Sequence, residues 1–223
     1  MSTLIVAVDG PAGSGKSSVS RAVATRCGFG FLDTGAAYRA LIWWLLETNV
    51  DPADQARVAA LLPEFPYAIS IEPSHEAVTV DGTDITTAIR ESRISDAVSA
   101  VAVNLEVRAF MKDLTRRLAA ECEKPGIVIE GRDITTVVAP DAQARILLTA
   151  REEVRLARRA GEVAGASLAD TQRSLRARDT KDSSVVNFLT AAPGVVPVDS
   201  SDLNFDQTVD AVYDIVRAKV SLP

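Results

Sequence analysis

The chain of 223 residues is 47% hydrophobic and 24% charged, the balance of an ordinary globular protein with room for one α/β domain and a small insertion. Its net charge of −6, its two cysteines without C-x-x-C spacing and its single histidine speak against a basic nucleic-acid surface, a disulfide framework and a zinc centre. No apolar run reaches the roughly 18 residues of a membrane span, and the apolar start Leu4 to Val8 lacks the length and basic flank of a secretory leader, so a cytoplasmic protein is expected.

Leu4 to Asp9, apolar and partly β-branched, is a buried strand, and a glycine-rich segment leads from it into a helix that ends at Cys27. Phe29 to Leu32 is a second short strand. Thr34 is placed to N-cap the next helix, which reaches about Thr48. Its Trp43 and Trp44 are core residues, whereas Arg39 lies close to a strand's carboxyl end, where open α/β sheets hold ligands. Asp51-Pro52 opens a short helix that ends near Leu62-Pro63.

From Pro66 to Thr86 the pattern changes from helical to alternating. Ala68 to Glu72 and Ala77 to Val80 are strands around a turn at Pro73-Ser74-His75, and Asp81-Gly82 is a second tight turn. His75 is an exposed turn residue rather than a catalytic base. Ser92 to Val103 and Leu105 to Glu121 are helices on which Ser99 and Arg108, taken alone, are ordinary surface positions. Gly126 to Glu130 is a strand, and Arg132 and Asp133 follow it at the end where ligands bind.

Ala144 to Leu148 is a further strand, and Thr149-Ala150-Arg151-Glu152 has the spacing of a capping box. Ser167 to Asp170 resembles a second helix start, for a helix reaching about Asp179. Val195 to Asp199 is the fifth strand of the series, and Asn204 to Gln207 opens a closing helix with Val209, Val212, Ile215 and Val216 on one face. Strands alternating with helices give an α/β fold with a five-stranded parallel sheet flanked by helices and a small antiparallel insertion.

Chemistry concentrates at two places. Gly10 to Ser17 matches G-x-x-x-x-G-K-[ST] between a strand and a helix, the context in which inward-facing N–H groups and a helix N-terminus hold phosphates. Lys16 then reaches the β/γ-phosphates and Ser17 can ligate Mg²⁺. The second place is Arg145 to Asp182, which carries nine basic against six acidic residues. Such a run is either a solvated helix laced with ion pairs or a phosphate clamp, and the phosphate loop favours the clamp. The chain lacks the N-K-x-D element with which GTPases read guanine, so transfer of a phosphoryl group between two bound anions fits better.

The motifs GPAGSGKS, LDTGAAYR, IEGRDITTVV, EEVRLARR, RARDTKD and VDSSDL, in this order and spacing, resemble those of bacterial cytidylate kinases (CMP/dCMP kinases) over essentially the whole length. The resemblance implies a P-loop nucleoside monophosphate kinase within residues 1–223, with a nucleotide-monophosphate-binding insertion at 63–104 and a short helical lid at 151–184. It implies transfer of phosphate from ATP, with Mg²⁺, to CMP or dCMP by a monomer that binds neither nucleic acid nor membrane. Gly10, Pro11, Ala12, Gly13, Ser14, Gly15, Lys16, Ser17 and Ser18 would hold ATP phosphates and the metal. Thr34 and Arg39 would meet the acceptor, Ser99, Arg108 and Asp133 would read cytosine, and Arg132 would bind the acceptor phosphate. Arg178 and Asp182 would hold the ribose, and Arg155, Arg158 and Arg159 would close on the transferring phosphoryl group.

Two positions depart from the family pattern. Val185 replaces an arginine three residues after Asp182, and Thr135 replaces a glycine. Lys181 or Arg176 is expected to stand in for the missing cation, failing which acceptor affinity is weak. The competing readings are a P-loop kinase with another acceptor and a nucleotide-binding regulator without turnover.

Overall fold

The computed structural model describes residues 3–162, 172, 176, 179–180 and 188–220. Five parallel strands form the central sheet in the order β2-β6-β1-β7-β8, namely β1 (Leu4–Asp9), β2 (Gly30–Asp33), β6 (Gly126–Gly131), β7 (Ala144–Thr149) and β8 (Val196–Asp199). β1 lies at the centre, paired with β6 from Leu4↔Gly126 to Asp9↔Gly131 on one side and with β7 on the other. The strands are apolar almost throughout because helices cover both faces. Val6, Val8 and Val128 point to one face, packed against Val19 and Val23 of α1 (Lys16–Cys27) and Val212 and Val216 of α7 (Phe205–Lys219). Ala7, Ile127 and Ile129 alternate to the opposite face, where Ala119, Ile134 and Val138 cover them.

A second core joins the insertion to the sheet. α2 (Thr34–Glu47) buries Leu41 and Leu45 against α3 (Gln55–Leu61), α4 (Ser92–Ala102), α5 (Leu105–Ala120) and a three-stranded antiparallel sheet. That sheet is β3 (Tyr67–Ile69), β4 (Val78–Val80) and β5 (Thr83–Asp84), shorter than the expected strands because the chain beyond Ile69 turns to dock on β2, where Ile71 O accepts from Phe31 N. Asp81 and Gly82, at φ of 49° and 72°, make the tight turn read from their types. His75 is an exposed turn residue, as expected.

Several caps differ from those read in the sequence. Asp33 caps α2, accepting from Ala36 N at 3.0 Å, because Thr34 already has helical geometry and turns its hydroxyl to Glu130 O. Asp54 rather than Asp51 caps α3. Thr149 ends β7, and its hydroxyl donates to Val198 O rather than starting a capping box. A capping box forms instead at Asn204 and Gln207, where the closing helix was expected to start. Trp43 and Trp44 are half-buried at the edge of the α2 core, their rings too large to be enclosed by a single helix face. Ile215 is likewise half-buried beside the buried Val209, Val212 and Val216. The helix start read at Ser167 to Asp170 lies outside the described residues.

Candidate active site

The phosphate loop bridges β1 and α1. Gly13 and Gly15 take φ of 74° and 85°, and a Cβ on Gly13 would stand 2.7 Å from Arg155 O. No side chain caps α1 at Gly15, so the first-turn N–H groups face the space inside the loop, as an anion site requires. The loop opens beside β6, whose last acid, Glu130, is 2% exposed. Ser17 Oγ donates to Glu130 Oε1 at 2.6 Å, and Lys16 Nζ lies 3.8 Å from Oε2, which has no hydrogen-bond partner.

Burial and the nearby Asp33 charge push the Glu130 carboxyl up to about 7, against the pull of Lys16 and Ser17. Burial, with Arg132 adding repulsion, lowers the Lys16 ammonium. Ser17 and Glu130 thus offer two adjacent oxygen donors, one of them a buried orphan. Such a pair fits Mg²⁺, which uses one or two protein oxygens and completes its shell with phosphates and water. No group of three His, Cys, Asp or Glu side chains forms a metal cage among the described residues.

On the other side of Glu130, Asp33 Oδ2 accepts from Arg39 Nη2 at 2.8 Å. Burial works to raise the Asp33 carboxyl, but Arg39 and Lys16 more than offset it and hold it below its ordinary value. Thr34 Oγ1 donates to Glu130 O at 2.8 Å and forms one wall of a cavity of about 110 Å³, with Tyr38, Arg108, Met111, Asp133 and Val137 among the others. Asp133 Oδ2 and Arg108 Nη2 meet at 2.5 Å. Burial raises the Asp133 carboxyl despite this partner. Ser99 is half-buried on α4 and is not among the residues lining this cavity.

The basic residues divide by what they touch. Arg132 donates to Gly10 O, lies over the Phe188 ring at 4.8 Å and sits 3.9 Å from Asp179. Arg155, on α6 (Glu152–Glu162), donates to Ala12 O at 2.9 Å and to Asp179 Oδ2 at 2.5 Å, while Asp179 Oδ1 accepts from Ala12 N at 3.1 Å. Arg158 donates to Ser14 O at 3.2 Å and to Ser200 O at 2.8 Å. Two of the three expected lid arginines therefore hold backbone carbonyls of the phosphate loop. Arg159 is half-buried on the same helix. Arg176 is paired with Glu152 at 2.6 Å. Arg178, Lys181, Asp182 and Val185 lie outside the described residues.

Thr135, the second departure, has a defined role. Its hydroxyl and N–H donate to Asp9 Oδ2 at 2.6 and 2.9 Å, while Ile134 N donates to Oδ1 at 2.8 Å. Asp9 thereby ties the end of β1 to the segment that carries Arg132 and Asp133. Glu130, Asp9, Asp33 and Asp179 were not singled out from the sequence. Asp9, Asp33 and Glu130 each stand at the end of an apolar strand, a signal that could have found them, whereas Asp179 carries none.

Comparison with known proteins agrees with the motifs. Residues 6–218 match the family model described as Cytidylate kinase. A cytidylate kinase of Streptomyces avermitilis is 45% identical over 97% of this chain and 94% of its own. One from Cutibacterium acnes is 44% identical over 96% of each. An uncharacterized protein from Eubacterium ventriosum shares the fold, with a TM-score of 0.54 at 13% identity over 97% of this chain and 99% of its own. A phosphate loop, a buried Ser17–Glu130 oxygen pair and an Arg–Asp cavity thus occur in a sequence matched along nearly its whole length, and the chain belongs to the cytidylate kinase family.

Proposed function

We propose that this protein transfers the γ-phosphoryl group of ATP to CMP or dCMP, giving ADP and CDP or dCDP. The observation that carries the choice of acceptor is the Arg108–Asp133 pair in the cavity beside Glu130. Cytosine presents an amino donor at N4 and acceptors at N3 and O2, which a carboxylate next to a guanidinium complements. Such a site rejects the wrong base edge because its own buried polar groups are then left unpaired.

ATP phosphates sit in the loop Gly10 to Ser18, with Lys16 against the β/γ-phosphates. Ser17 and Glu130 would hold Mg²⁺, whose charge would neutralise that of the phosphates. An acceptor phosphate oxygen attacks the γ-phosphorus as the bond to the β–γ bridging oxygen breaks, and ADP leaves. No general base is required, since the acceptor is already an anion at neutral pH. Arg39 and Arg132 align the acceptor phosphate, while Arg155 and Arg158 brace the loop so that its N–H groups stay aimed at the donor.

Within the 151–184 lid, Arg159 takes the transferring phosphoryl group, and Arg178 and Asp182 take the ribose. Residues 63–104, with Ser99, close over the acceptor, and the protein works as a monomer. The test is a coupled ADP-release assay with Mg²⁺ and ATP against CMP, dCMP, UMP, AMP and no acceptor. Turnover with CMP and dCMP alone is expected. Turnover with AMP overturns the base assignment, and silence with every acceptor overturns the kinase.

A further inference from the structure

Two buried donors remain unused next to the Asp33–Arg39 pair. Tyr67 enters from β3, held by its pairing with Val80 and by its ring stacked on Phe65 at 5.4 Å and 22°. Phe65 is fixed in turn by Trp44 at 5.4 Å and Phe110 at 6.5 Å. The tyrosine is thus anchored through its ring, and its hydroxyl is buried with no hydrogen-bond partner. Arg39 Nε is in the same condition, although Nη2 of that guanidinium is satisfied by Asp33. Tyr67 lies within electrostatic reach of both Asp33 and Arg39.

A buried polar group without a partner is a net cost to a fold, and two at one place call for a common explanation. Arg39 Nε–H can only donate, so a ligand that satisfies both atoms must present acceptors, and the guanidinium favours an anion. Burial raises the Tyr67 phenol, which keeps its proton and its donor character at neutral pH. A phosphate group, with several acceptor oxygens around one charge, meets every requirement. A nucleobase amine meets none.

We propose that the Tyr67 hydroxyl donates to a phosphate oxygen of the acceptor nucleoside monophosphate, alongside Arg39, making Tyr67 an acceptor-site residue supplied by the antiparallel insertion. The nucleotide's identity rests on the cytidylate kinase reading. The phosphate contact rests on the two orphan donors.

Tyr67→Phe removes one oxygen and keeps the stacked ring. The ligand-free variant should melt no lower than the parent, because the deleted hydroxyl makes no internal bond. Its KM for CMP should rise about tenfold or more, with the KM for ATP unchanged. Cytidine, which lacks the phosphate, should bind parent and variant equally, as read by its thermal shift. An unchanged KM for CMP, an equal weakening of CMP and cytidine, or a lower melting point without ligand each overturns the proposal. If the parent turns over a different monophosphate, the same comparison is made with that monophosphate and its nucleoside. If it turns over none, thermal shifts with CMP and cytidine decide. A wrong acceptor base and a wrong role for Tyr67 therefore give different results.

Discussion

Replacing Asp133 by alanine isolates the step by which the acceptor base is recognised. In the parent, Asp133 and Arg108 are each 18% exposed and meet at 2.5 Å, so the pair is largely withdrawn from water. The variant loses the carboxylate proposed to complement the cytosine amino group and leaves the Arg108 charge without its counterion. A hydrogen bond to a charged group contributes about 1.5–3 kcal/mol, which corresponds to a rise of about tenfold to a hundredfold in KM for CMP. No residue of the phosphate loop is among those lining this cavity, so the KM for ATP should stay within about twofold. Initial rates of ADP release, with CMP varied at saturating ATP and then the reverse, separate the two effects. An equal rise in both KM values would place Asp133 with the metal and refute the argument. An unchanged KM for CMP would refute it as well.

Asp133 also predicts a dependence on pH. Its folded pKa is raised above the ordinary 3.8 by burial, so its contribution to stability is complete below that value and is lost as pH rises through the raised one. Denaturant unfolding of the parent and of Asp133→Asn between pH about 4 and about 7 should therefore show the parent losing ground to the variant as pH increases. Parallel courses would contradict this. Gly13→Ala should cost about 1–2 kcal/mol from its left-handed backbone alone, with more from the approach to Arg155 O, and should raise the KM for ATP. An unaltered melting point would show that the loop relaxes freely. Thr135→Val keeps the shape and deletes the hydroxyl bond to Asp9, for an expected loss of about 1–2 kcal/mol and a melting point lower by about 2–4 °C per kcal/mol. Equal stability would mean that the bond contributes nothing.

The five sheet strands and the phosphate loop were legible because their signals are local: apolar runs of strand length, and glycines spaced for a tight anion loop. The antiparallel insertion was legible for the same reason, from alternation and Asp81-Gly82. The cap at Asp33 was misplaced by one residue, since a threonine and an aspartate side by side are both competent caps until the strand fixes which of them turns first. What could not be read is carried by long-range contacts. Ser17 meets Glu130 across 113 residues of chain, Ile134 meets Asp9 across 125, and Ala12 meets Asp179 across 167. No spacing rule spans such separations. Thr135, a departure when judged against a family pattern, proved to be a donor to a buried aspartate, which only the fold could show.

The register Asp9↔Gly131 has a consequence for how such a protein can change. The donor loop and the segment bearing Arg132 leave the sheet level with each other, on neighbouring strands about 4.8 Å apart. The alignment proposed for the two reacting groups is thus inherited from main-chain pairing, whereas the cavity proposed to select the base is walled by side chains of α2 and α5 together with residues 133–138. Substitutions on those helices can retune which nucleotide is admitted while the line of attack stays fixed. Drift in substrate choice and upkeep of the chemistry are, in this architecture, separable tasks for selection.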